Sequence, residues 1–104
     1  MIEIDSPNEL RNWFSDKNHI WAEQSIAANL ELPDDSDLNK AIVTLEVPEY
    51  IGNVTVWGSG TLELIVLDRA AKKEVLFRHR EYSSPEELRL LLDEYLRAFS
   101  NLLL

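Results

Sequence analysis

The densest run of side chains able to hold a cation lies in "LPDDSDLNK", 32 to 40, where Asp35, Asp37 and Asn39 occupy alternate positions and Glu46 comes eleven residues after Asp35. A calcium loop flanked by helices spaces its oxygens in this way. The pattern breaks at Lys40, which stands where the sharp turn needs Gly and adds positive charge beside the ion, and residues 41 to 47 beyond it have strand character. His19 and His79 are the two imidazoles. They fall in different elements and in no His-Glu-x-x-His or Glu-x-x-His pair, so a metal site lacks its ligands. Ser59, in "GSG", sits in no GxSxG elbow and reads as a turn serine. The carboxylates of "DDSD" have no hydrophobic wall to raise a pKa for acid–base work, and no glycine loop cradles a phosphate. The sequence therefore reads as a binding protein without cofactor or metal, not as an enzyme.

The 104 residues, 45% hydrophobic, suit one domain spanning 1–104. With no cysteine there is neither a disulfide framework nor a thiolate metal site, as fits a reducing compartment. The acidic start "MIEIDSPNEL" is unlike a signal peptide, and no apolar run approaches the roughly 18 residues of a membrane span. A cytoplasmic location is expected. The formal net charge of -9 disfavours nucleic acid, which would be repelled. Residues 1 to 50 carry eleven acids and three bases, whereas 51 to 104 carry eight and seven. That asymmetry serves solubility, or it steers the protein toward a basic partner.

Positioning elements follow from periodicity. "SPNEL" (6 to 10) and "SPEEL" (84 to 88) each offer a capping Ser, a Pro at the first helical position and a Glu three residues after Ser. In the second helix Leu88, Leu91, Leu92, Tyr95, Leu96 and Phe99 share one face, with charges on the other. Leu102 to Leu104 either finish that helix against the core or form an exposed end that pairs subunits. In the first helix Leu10, Trp13 and Phe14 begin an apolar face that Ile20 and Trp21 continue, leaving its end open. Ile26, Ala28, Leu30 and Leu32 alternate like a strand, although the Ala-rich composition would also extend the helix. An exposed acidic loop comes next. Then come "AIVTLEV" (41 to 47), "IGNVTVW" (51 to 57), "TLELIVLD" (61 to 68) and "EVLFRHREY" (74 to 82), joined by short links. This predicts an α+β fold: a four- to five-stranded antiparallel meander with N- and C-terminal helices on one face.

Strand parity places Val43, Leu45, Val47, Val54, Val56, Leu62, Leu64, Val66, Val75 and Phe77 under the helices. Thr44, Glu46, Asn53, Thr55, Trp57, Thr61, Glu63, Arg78 and Arg80 then face outward. His79, on the apolar parity, is expected to be hydrogen-bonded and partly buried. Trp57 on the polar side either braces its hairpin or docks a partner.

The order helix, acidic linker, meander, helix, together with Tyr50, Val56-Trp57, Gly60, the run Leu64 to Asp68, Val75-Leu76, His79 and the Ser84-Glu87-Leu88 helix entry, resembles the TriTu-type and contact-dependent growth inhibition immunity proteins of bacteria. The resemblance covers about two-thirds of the chain, from Leu45 onward, and residues 18 to 40 match in general character only. It implies a single-domain α+β protein that binds one-to-one and blocks a toxin domain, commonly a nuclease such as an RNase. It transfers no binding residue, because immunity interfaces are pair-specific.

Charge and parity alone nominate Asp34, Asp35, Asp37, Glu46, Glu49, Trp57 and Glu63 as partner-binding residues, facing a basic nuclease toxin without direct nucleic-acid or membrane contact. Outside that complex a monomer is expected. An acidic secretion chaperone wrapping an effector segment is the alternative, and it would be an obligate dimer.

Overall fold

A computed structural model describes residues 6–32 and 39–103 of the chain. The order is α1 (Ser6–Glu23), β1 (Ala27–Glu31), β2 (Lys40–Glu46), β3 (Tyr50–Trp57), β4 (Thr61–Asp68), β5 (Lys73–Glu81) and α2 (Pro85–Leu102). The five strands form one antiparallel sheet in sequential order, the expected meander at its five-stranded limit.

Helix α2 begins where its sequence says it should. The Ser84 hydroxyl accepts the Glu87 amide at 3.1 Å and the Glu87 carboxylate accepts the Ser83 amide at 2.9 Å, a reciprocal cap with Pro85 opening the helix. It runs to Leu102, which packs against the core, while Leu103 caps the helix and is exposed and Leu104 lies outside the described residues. Helix α1 starts at Ser6, the residue expected to cap it, and ends without the usual glycine. Ser25 takes a left-handed φ of 58° while its amide bonds the Ala22 carbonyl and the Ile26 amide reaches back to Trp21 at 2.8 Å. This double closure turns the chain directly into β1 and seats Ile26 beside Trp21, both buried.

The core lies between the sheet and the helices. Val43, Leu45, Val54, Val56, Leu62, Leu64 and Val66 are buried from the sheet side. Against them pack Leu10, Trp13 and Trp21 of α1 and Leu88, Leu91, Leu92, Tyr95 and Phe99 of α2. Trp13 and Trp21 meet edge-to-face at 5.3 Å, and Phe14 tilts against Trp21 at 5.5 Å. Helix α1 lies over β1 to β3. Helix α2 spans β3 to β5: Phe99 touches Gly52, the Tyr95 hydroxyl donates to the Leu62 carbonyl at 3.2 Å, and Glu94 pairs with Arg80. Between the helices the Trp13 indole and the Lys17 ammonium share Asp93, at 3.1 and 3.4 Å, while Arg89 approaches Glu9. The pairings rise together in number, so the two helices run parallel.

Parity fails in one strand. Leu62, Leu64 and Val66 oppose Arg80, Arg78 and Leu76, and an irregularity between Val66 and Leu67 shifts the register beyond. Arg78 and Arg80 therefore lie on the helix side, and Phe77 and His79 lie on the other. Val75 and Phe77 are 39% and 47% exposed instead of buried, and His79 is exposed. The physical reason is position. β5 is an edge strand whose long arginine stems reach past the rim of α2 into solvent, so the helix-side parity there does not demand apolar residues.

Candidate functional site

Both helices cover one face of the sheet, and among the described residues no element covers the other. Register assembles that open face row by row. Ile51 opposes Leu67 and Ile65 opposes Phe77, so four apolar side chains of β3, β4 and β5 form one patch toward the β4–β5 turn. Leu67 is 37% exposed and Phe77 more so. At the opposite end Lys40 opposes Trp57, with its Nζ 5.8 Å from the ring centroid. Thr44 and Asn53 lie between, hydrogen-bonded at 2.8 Å. Glu31, Glu46, Glu63 and Glu81 contribute carboxylates from four strands, Lys40 and His79 lie on the same face, and Arg69 reaches Glu46 from the β4–β5 turn. Exposed apolar side chains with charged groups beside them suit a protein–protein contact.

Three of the nominated residues lie on this face. Glu63 stands directly opposite His79 and its carboxylate lies 3.1 Å from Nδ1, which supplies the expected hydrogen bond without the expected burial. Glu46 lies beside Ile51, its carboxylate 3.9 Å from Arg69. Trp57 is half-buried, its ring lying along Lys40. Its carbonyl accepts the Tyr82 hydroxyl and the Gly60 amide. Gly60 holds a φ of +113°, and a Cβ there would stand 3.1 Å from the Tyr82 carbonyl, so the hairpin that carries Trp57 requires glycine.

Glu49 is apart from this group, exposed in the β2–β3 turn, where its carbonyl accepts the Arg69 amide and the Arg69 guanidinium bonds the Val47 carbonyl at 3.1 Å. Asp34, Asp35 and Asp37 lie outside the described residues. Asp68 anchors the neighbouring turn, its carboxylate accepting the Ala70 and Ala71 amides at 3.0 Å each.

Sequence reasoning missed the apolar patch. Its signal was present in "LIVL", residues 64 to 67, and "VLF", residues 75 to 77: consecutive apolar residues in a strand must populate both faces, so half of each run has to face away from the helices.

Among the described residues no group of three or more His, Asp or Glu is placed to hold a metal ion, and no helix is long and apolar enough to cross a membrane. Burial raises the hydroxyls of Tyr82 and Tyr95 to about 12, with Glu9 adding to the effect at Tyr82. Both are structural donors to main-chain carbonyls on the helix side.

The family model described as "Immunity protein TriTu" matches residues 8–98, which takes in every strand and most of both helices. No curated protein and no solved structure matches the chain.

Proposed function

The chain belongs to the TriTu immunity protein family, and on that premise we propose that it neutralises a cognate toxin by laying its helix-free sheet face over a basic nuclease domain. The observation that carries this reading is the juxtaposition on that face of Ile51, Ile65, Leu67 and Phe77 with carboxylates from four strands. Half-buried and exposed apolar side chains on neighbouring strands supply the area whose desolvation drives association. The carboxylates supply direction. A toxin that grips RNA phosphates carries a basic cleft, and a partner of net charge -9 is drawn to it fast at low salt.

In this reading Trp57, Glu46 and Glu63 contact the toxin directly. Glu49, Asp34, Asp35 and Asp37 add negative charge toward the toxin, and inhibition is one-to-one occlusion without turnover. Delivery of the toxin by a contact-dependent system and encounter in the cytoplasm complete the proposal.

The test is co-expression with the product of the reading frame immediately upstream. Rescue of growth together with co-purification at equal stoichiometry is the expected result, and an upstream product that is harmless by itself removes the main support. Neutralising Asp34, Asp35 and Asp37 together, with no change in calorimetric affinity, would exclude the loop from the interface.

A further inference from the structure

β5 closes the sheet on the side away from β1, so the outer edge of its nine residues has no strand neighbour among those described. Free edges invite another chain to pair. The irregularity near Val75 disturbs the start of this edge, while from Leu76 to Glu81 the register against β4 is unbroken. Above it, between β5 and α2, lies a cleft of about 340 Å³ whose lining includes Arg78, Arg80, Arg97 and Glu94. Three arginines and one glutamate thus line one cleft in a chain of net charge -9. Arg80 takes that carboxylate at 3.0 Å, and Arg78 bonds the neighbouring Phe77 carbonyl. Arg97 makes no hydrogen bond or ion pair among the described residues.

We propose that this edge and cleft form a second docking site, distinct from the open face, for an extended acidic segment of a partner protein that adds to β5 as a sixth strand. Arg78 and Arg80 are alternate residues on one side, about 7 Å apart along the strand. An added strand has the same alternation, so carboxylates two positions apart would stand beside both guanidiniums, and Arg97 would reach them from above. On the other side of the edge are Phe77 and His79, which favour an apolar residue between the two acids. The occupant is a peptide and not a nucleic acid for two reasons. The edge offers main-chain donors and acceptors in strand register, which a phosphodiester does not match. The overall charge also repels a long polyanion, whereas a short segment meets the local excess of arginine.

The probe is a short fluorescent peptide alternating glutamate with valine, titrated against the intact protein. Beside it are a composition-matched peptide with its glutamates in one block, and a single-stranded oligothymidylate. The alternating peptide should bind, slow amide exchange in β5, and lose about tenfold or more in affinity in Arg78→Glu and in Arg97→Glu. Both side chains are exposed, so the variants should keep the parent's thermal midpoint, and exchange in the unmodified protein needs no variant. Absence of binding, equal binding of the blocked peptide or the oligonucleotide, or binding indifferent to both substitutions would overturn the proposal. Loss of toxin neutralisation is not among these readouts, so the two surfaces are tested separately.

Discussion

The Tyr82 hydroxyl, buried on the helix side of the sheet, donates to the main-chain carbonyl of Trp57, whose indole lies on the opposite face. The end of the β3–β4 hairpin that carries Trp57 is thereby tied to the core. Tyr82→Phe should lower stability by about 1 kcal/mol with an unchanged urea m-value. A change of m-value would mean that the hairpin had opened instead of losing one bond.

Gly52 is needed for contact, not for backbone freedom. A Cβ there would lie 3.1 Å from two ring carbons of Phe99. Gly52→Ala should destabilise by about 1–2 kcal/mol, overpacking outweighing the gain in strand preference. Combining it with Phe99→Leu should show coupling in a double-mutant cycle; additive effects would mean that the ring is free to move aside.

Ser25 holds its left-handed conformation at the end of α1 without a glycine's freedom. Ser25→Gly should raise the urea midpoint by the equivalent of about 0.5–1 kcal/mol. No gain would mean that the closing turn is absent in solution.

Alkaline pH should unfold the protein through Tyr82 and Tyr95. Burial holds both at about 12, against about 10 in an unfolded chain, so the native state binds these protons more tightly. Their contribution is complete below about pH 10 and is lost as pH rises through about 12. Urea titrations across that window should show falling stability in the parent protein and a shallower fall in Tyr95→Phe.

The meander, the α2 cap and most of the core were legible because parity and helical spacing both pointed one way. Val43, Leu45, Val54, Val56, Leu62, Leu64 and Val66 had a single consistent face. The end of α1 was illegible because Ser25 does there what Gly usually does. β5 was misread because alternation fixes which residues share a face but not which face is covered, and at an edge strand Arg78 and Arg80 satisfy the helix side as well as Val75 and Phe77 would. For the site, acidity and Trp57 were visible in composition and parity. The apolar patch needed the register between Ile65 and Phe77.

Calorimetric titration of the cognate toxin against variants on the two sides of the molecule tests the toxin-binding role of the open face most directly. Trp57→Ala, Glu63→Gln and Phe77→Ala together should weaken binding at least about thirtyfold and reduce its salt dependence. Leu90→Ala, at a side chain 71% exposed on α2, should leave affinity within about twofold. Full affinity in the sheet-face variant, or a loss confined to the α2 variant, would contradict the proposed mode of inhibition.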